Sequence, residues 1–218
     1  MSVVGKNRNP LSYKNKDRRQ SNFMYKDFSK SSSINSNFSE CNFRFVSFRG
    51  AKFKYCEFDR ALFDGSEFIG TNLRGSHFSN AIFKDVIFNG AVLDKSNFTE
   101  AKFSNTIFYN TSINTAKGIS KNTDGIIVFE KAISEDQFSK ELITIIQDLR
   151  KNDYIRRSRT LHLKEGKVNT LYLMLLLHDF EEQPLIEGLR MLPNLISKPF
   201  YTLSYIKNIL RKLADQSK

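Results

Sequence analysis

The residues here whose type and spacing could do chemistry are clustered cations, and that chemistry is electrostatic. "RKNDYIRRSRTLHLK" at 150–164 carries Arg156, Arg157 and Arg159 almost side by side, with Lys164 beyond them. Such clusters make phosphate contacts or pair with an acidic partner. "KNKDRRQ" at 14–20 is a second basic stretch. The plainer reading of the two is a disordered basic tail and a solvated connection between helices. The histidines offer less. His162 and His178 have no cysteine or carboxylate at metal-ligand spacing, and "HDFEE" at 178–182 reads as the solvated acidic end of a helix. No glycine loop is spaced for phosphate and no nucleophile stands near a base. The expectation is therefore no catalytic residue, no cofactor-binding residue, no metal ligand and no enzyme activity.

What positions these residues is a period of five. Every fifth residue from Phe23 to Ile113 gives 19 positions, of which 15 are Phe. The others are Leu73, Leu93, Ile113 and Ser33, and only five Phe in the chain fall off this phase. Neither a helix, with its stripe at i, i+3, i+4 and i+7, nor an alternating strand needs such spacing. Two residues before each large one stands a small or β-branched one, as in Cys41, Val46, Ala51, Cys56, Ala61, Ser66 and Thr71. Each five-residue unit thus sends one large and one small side chain inward and three outward. Cys41 and Cys56 are inward and unreactive on this reading, and His77 is outward and solvated.

The pairing resembles the pentapeptide-repeat family, over 16 units without a gap from Ser36 to Ala116 and more weakly from Ser21 to Asn35. The resemblance implies a β-solenoid, namely a right-handed quadrilateral parallel β-helix with four units per coil, here about four to five coils. The sequence is consistent with a 20-residue coil. Phe43, Phe63, Phe83 and Phe103 would stack in one column, and Phe48, Phe68, Phe88 and Phe108 in the next. Phe53, Leu73, Leu93 and Ile113 form the third, which collects the aliphatic exceptions, and Phe38, Phe58, Phe78 and Phe98 form the fourth. Gly50, Gly70 and Gly90 share a corner column, where a type II turn demands φ > 0. Lys26 at an inward position and Ser33 at a central one predict an irregular or capping first coil. Gly118 ends the period, and "GIIVF" at 125–129 reads as a strand covering the last coil.

From Ser134 the pattern becomes helical. Ser134 and Gln137 stand at capping-box spacing, and Phe138, Leu142, Ile145, Ile146 and Leu149 extend a helix to about Lys151. "VNTLYLMLLLHDF" and "PFYTLSYIKNILRKLADQ" read as two more, with Pro184, Pro193 and Pro199 in the connections. Phe200, Leu203, Ile206 and Leu210 line one face of the last helix, a candidate surface for self-association. The expected organisation is a disordered basic tail over 1–20, a β-helix over 21–118 that is regular from 36, a capping strand and linker over 119–133, and a small α-helical domain over 134–218.

Net charge is +11 overall but only +1 across 31–116. Some members of the family bind type II topoisomerases by presenting an acidic, DNA-like rod, and a near-neutral rod speaks against simple mimicry. The preferred function is a noncatalytic scaffold for another protein, the C-terminal helices forming a homodimer or contacting the partner. Topoisomerase binding and nucleic-acid binding through the basic ends are the alternatives. The polar start "MSVVGKNRNP" is unlike a secretory leader. The apolar run "LYLMLLL" falls well short of the roughly 20 residues of a membrane span. Two cysteines make no disulfide framework. The expected location is the cytoplasm, with no membrane span.

Overall fold

A computed structural model describes residues 11–129, 131 and 134–216. The chain divides into two compact units, the first ending at Phe129. The first is a parallel β-solenoid of about six turns. Its strands are β1 (Ser12–Lys14), β2 (Ser32–Ile34), β3 (Lys52–Lys54), β4 (Leu62–Asp64) and β5 (Glu67–Ile69), then β6 (Ile82–Lys84), β7 (Ile87–Asn89), β8 (Lys102–Ser104), β9 (Thr106–Tyr109) and β10 (Ile126–Phe129). They form three parallel sheets, β1-β2-β3, β4-β6-β8 and β5-β7-β9-β10. Every pairing joins residues twenty apart, as in Phe63↔Phe83 and Phe68↔Phe88. Isolated parallel bridges such as Glu57↔His77 and His77↔Asn97 hold a fourth side in the same register. We number the sides by their central columns. Face 1 holds Tyr13, Ser33, Phe53, Leu73 and Leu93; face 2 holds Phe38, Phe58, Phe78 and Phe98; face 3 runs from Phe23 to Phe103; and face 4 runs from Phe28 to Phe108.

The register makes the core. Phe48, Phe68, Phe88 and Phe108 stack with ring centroids 4.6–4.7 Å apart and planes within 5° of parallel. Face 3 repeats this from Phe43 through Phe103 at 5.0–5.2 Å. Rings of neighbouring faces meet edge-on or tilted, as Phe58 and Phe63 do at 5.8 Å and 61°. Both arrangements suit the ring quadrupole. Several inward hydroxyls are satisfied by a second regularity, donating to the carbonyl of the residue 23 positions earlier, while Ser96 donates instead to Leu93 O. Ser66 Oγ donates to Phe43 O at 2.6 Å, Thr71 to Phe48 O at 2.7 Å and Ser76 to Phe53 O at 2.8 Å. That bond explains why Ser and Thr alternate with Ala at the small inward position, where an unpaired hydroxyl would be costly. Cys41 and Cys56 are free buried thiols, and burial pushes both up to about 11.

Several expectations about the rod's ends need correction. The coil is already in place at Leu11, so the second half of the expected tail is built into the rod; residues 1–10 lie outside those described. Tyr13 takes the central place, packing edge-on to Phe38 at 5.7 Å, and Asp17 bridges Asn37. The first coil is regular, not irregular. Lys26 is accommodated because it lies in the bottom described layer, where its side chain stays exposed. Ser33 keeps strand register between Tyr13 and Phe53, fully buried. At the far end the path continues past Gly118, to the covering strand expected over 125–129. Lys117 bridges Asn97, and β10 pairs with β9 along its whole length, so Val128 lies over Phe108. Positive φ holds at the corner glycines as expected, 64°, 58° and 60° at Gly50, Gly70 and Gly90. It also holds at every other fifth residue from Asn15 to Asn110, including Tyr25, Phe45, Arg60 and Lys95. The corner geometry is thus imposed by the coil, at a cost of roughly 1–2 kcal/mol for each such side chain.

The second unit is helical: α1 (Lys140–Asp148), α2 (Asp153–Ser158), α3 (Thr170–Asp179), α4 (Glu182–Leu195) and α5 (Leu203–Gln216). Ser134 heads only a short 3-10 turn and makes no side-chain cap. The backbone is extended at Phe138 and Ser139, and Ser139 caps α1 by accepting from Leu142 N at 3.2 Å. Helices α2 and α4 were hidden in what reads as loop. Asn152 caps α2, accepting from the amides of Tyr154 and Ile155. Pro184 lies in the first turn of α4, where an amide has no acceptor within the helix, and Pro193 lies in its last turn. Neither marks a connection.

Asp179, the last residue of α3, is not a solvated terminus. Its side chain is 10% exposed and lies 3.0 Å from Lys207 Nζ, itself 4% exposed, and 2.8 Å from Arg211 Nη2. Burial pushes the carboxyl up, but the Lys207 charge and its hydrogen bond outweigh that and hold it below the usual carboxylate range. The pair fastens α5 to the end of α3.

Two stability predictions follow from this packing. Phe68→Ala should cost about 3–5 kcal/mol in urea unfolding, and Phe68→Leu clearly less, because Leu73 and Leu93 already fill such positions. Asp179→Ala should cost roughly 3–5 kcal/mol by removing the carboxylate that the buried Lys207 faces at 3.0 Å. A depressed carboxyl stabilises above its unfolded value near 3.9 and loses that contribution as pH falls through the lower folded value. Acid titration followed by circular dichroism should show this loss in the wild type and not in Asp179→Ala.

Candidate interaction surfaces

The register decides which outward residues share a face, and it sorts the charges. Face 1 carries Lys14, Lys52, Lys54, Arg74 and Lys95 with a single acid, Asp94. Face 2 carries Asp17, Glu40, Glu57, Asp59 and Glu100 against Arg19, Arg60 and Lys117. Face 3 is balanced, with Arg44 3.8 Å from Asp64. Face 4 is the apolar side. Its strand residues Ile87 and Ile107 are buried, and so is Glu67, whose Oε2 is 3.9 Å from Arg49 Nη2. The near-zero charge of the rod is therefore a sum over a basic face and an acidic one.

The two charged faces differ in how their charges are spent. On face 2, Arg19 pairs with Asp17 at 2.7 Å, Arg60 with Glu40 at 2.8 Å and His77 Nδ1 with Glu57 at 3.3 Å. His77 is thus an exposed surface side chain, as its outward phase requires. These pairs are exposed and worth little to stability, but they offset the acidic field. On face 1, Asp94 accepts a hydrogen bond from Thr115 Oγ1 at 3.0 Å and makes no ion pair among the described residues. None of the face 1 cations is within ion-pair distance of an acid among the described residues.

The candidate residues of the helical unit are distributed differently from expectation. Arg156 and Arg157 lie on α2 and both ion-pair with Asp153, one turn back on the same helix. Arg159 follows in a left-handed conformation, φ 57°, and Lys164 sits in an exposed turn. The segment 158–162 is no solvated connection: Thr160 and Leu161 are buried, and Asn169 Nδ2 donates to Thr160 O at 2.8 Å. His162 is buried with Nε2 2.7 Å from Ile146 O. A carbonyl only accepts, so Nε2 carries the proton, and burial lowers the ring's affinity for a second one. Phe200, Leu203, Ile206 and Leu210 are buried within the chain. A Cβ on Gly188 would fall 2.6 Å from Leu210 Cδ2, so α5 packs tightly on α4. These four residues are core, and the surface proposed from them is not accessible.

What is accessible in this unit is a groove of about 660 Å³ between α1 and α4. Ile145, Leu149 and Pro193 line it, and ion pairs Glu141–Arg190 (2.7 Å) and Asp148–Lys151 (2.8 Å) stand at its rim. Among the described residues no group of three or more His, Cys, Asp or Glu is placed to hold a metal, and no helix is long and apolar enough to cross a membrane. The cations of face 1 escaped the linear reading because they are far apart in sequence. Lys54 and Arg74, twenty apart, carried the signal that could have found them.

The family model for pentapeptide repeats matches residues 41–80 and 72–110. No curated protein matches the sequence. Among solved structures, the chain is similar to HetL, a pentapeptide repeat protein involved in heterocyst differentiation regulation in the cyanobacterium Nostoc. Identity is 14%, the TM-score is 0.42, and the match covers 50% of this chain and 49% of HetL. A pentapeptide repeat protein of the Arabidopsis thaliana thylakoid lumen is 26% identical, with TM-score 0.33 and coverage of 58% and 75%. QnrB1, a plasmid-mediated fluoroquinolone resistance protein, is 15% identical, with TM-score 0.38 and coverage of 56% and 85%. The matched repeats lie in the middle coils of a four-sided parallel solenoid, and the N-terminal unit of this chain is a pentapeptide-repeat β-helix.

Proposed function

We propose that this chain is a noncatalytic scaffold for protein–protein interaction, in which the rod presents its exposed faces and the helical unit adds a second contact. The observation that carries this reading is that the interior of the rod is filled by stacked rings, so its chemistry is confined to outward faces of fixed spacing. Homodimerisation through α5 loses its basis, since the apolar face of that helix is buried. The α1–α4 groove is an accessible concave surface of the helical unit. A photo-crosslinking residue introduced singly at Lys54, Asp59, Lys84 or Thr144 in cells should yield a discrete protein adduct from at least one position. No adduct from any of the four would overturn the scaffold.

A second reading, binding to a type II topoisomerase, is favoured by one feature, the acidic column on face 2. Gyrase cleavage of DNA in the presence of a quinolone should then fall when the chain is added. Asp59→Lys with Glu100→Lys should abolish the protection. Unchanged cleavage with the wild type would end this reading.

A further inference from the structure

We propose that face 1 of the rod is a binding surface for single-stranded nucleic acid, held through its phosphodiester backbone and one base-stacking position. Lys14, Lys52, Lys54, Arg74 and Lys95 project from this face, and Lys30 stands exposed at the corner beside it. The flanking columns fix them in register: Lys52 is paired with Ser32 and bridges Asn72, which in turn bridges Val92. With coils about 4.8 Å apart, the array spans about 19 Å from Lys14 to Lys95. Several charges on the neighbouring faces are paired, as Arg60 is with Glu40 and Arg49 with Glu67, whereas none of these cations is within ion-pair distance of an acid among the described residues. Such an array concentrates a positive field that a polyanion relieves by displacing counterions.

Tyr55 separates a nucleic acid from other polyanions. It follows Lys54 directly and occupies the corner between face 1 and face 2, 50% exposed. Its ring fills the space above Gly75, where a Cβ would fall 2.5 Å from Tyr55 Cδ1. A side chain at 75 would displace the ring, so the glycine lets it lie along the edge of the cationic face. An exposed ring beside Lys54 and Arg74 offers a base the stacking platform that sequence-tolerant single-strand binders use. An acidic polypeptide has no need of such a platform. Arg156 and Arg157, in the second unit, both ion-pair with Asp153.

The test is fluorescence anisotropy of the full chain with labelled oligo(dT) and oligo(U) of about 16 nucleotides, between 50 and 200 mM KCl. Binding should weaken with salt at a logarithmic slope near −3 to −4, about 0.7 for each phosphate neutralised. Lys52→Gln/Lys54→Gln/Arg74→Gln should reduce that slope by about 2 in magnitude. Lys84→Gln/Lys102→Gln on face 3 should change it little. Tyr55→Ala should weaken binding about tenfold at an unchanged slope, because it removes stacking and not charge. Three results would each overturn the proposal: no binding, equal losses in the face 1 and face 3 variants, or full affinity in Tyr55→Ala with competition by phosphatidylserine vesicles. The last would mark a general anion surface.

Discussion

The rod depends on one constraint, that residue i lies directly over residue i−20. Backbone hydrogen bonds between coils set the spacing, as where Phe43 N–H donates to Leu62 O at 2.8 Å and Ile82 N–H to Ala61 O at 3.0 Å. Once coils are that close, a column must be filled by side chains that stack at the same distance. Flat rings do this at 4.6–5.2 Å with planes nearly parallel. Because no coil can bury its own ring alone, stability is shared between neighbours, as in other solenoids.

The same constraint dictates what the core tolerates. A hydroxyl at the small inward position can reach a carbonyl 23 residues earlier, so Ser66, Thr71 and Ser76 are as acceptable as Ala61 or Ala81. The square corner requires positive φ at each fifth residue, and the coil imposes it on Tyr25, Phe45 and Arg60 as well as on glycine. Corner strain is thus offset by ring burial, which contributes about 1.5–3 kcal/mol for each side chain before entropy. The outcome is a rigid body whose outer surface can vary in chemistry without disturbing its core. Face 1 could become basic, face 2 acidic and face 4 apolar on one frame.

The helical unit follows different rules. Its helices are fixed by local caps and by tertiary contacts rather than by a repeat. Asn152 and Asn169 start α2 and α3 with side-chain acceptors. Asp179 ends α3 where Lys207 and Arg211 of α5 can reach it. A buried cluster of this kind costs desolvation, which a close geometry offsets, and it makes an acidic helix end into a structural joint. Gly188 plays the matching steric part, admitting Leu210 at the crossing of α4 and α5.

The period of five, from Phe23 to Ile113, already specified the fold, the coil length and the stacked columns, because a solenoid's long-range contacts repeat a local pattern. It did not show the first coil. Tyr13 continues the stack with a residue that breaks the Phe pattern, and only its pairing with the adjacent coil places it. Helices α2 and α4 were illegible for a related reason: one is short, and the other carries prolines at its two ends, where a helix can bear them. The charged faces needed the tertiary fold most. Composition gave a neutral rod, and only the register brings Lys14, Lys54 and Arg74 to one side and Glu57 and Asp59 to another. The sequence alone determined the period and therefore the shape. The tertiary structure decided which chemistry each side presents, because neighbours on a face are twenty residues apart along the chain.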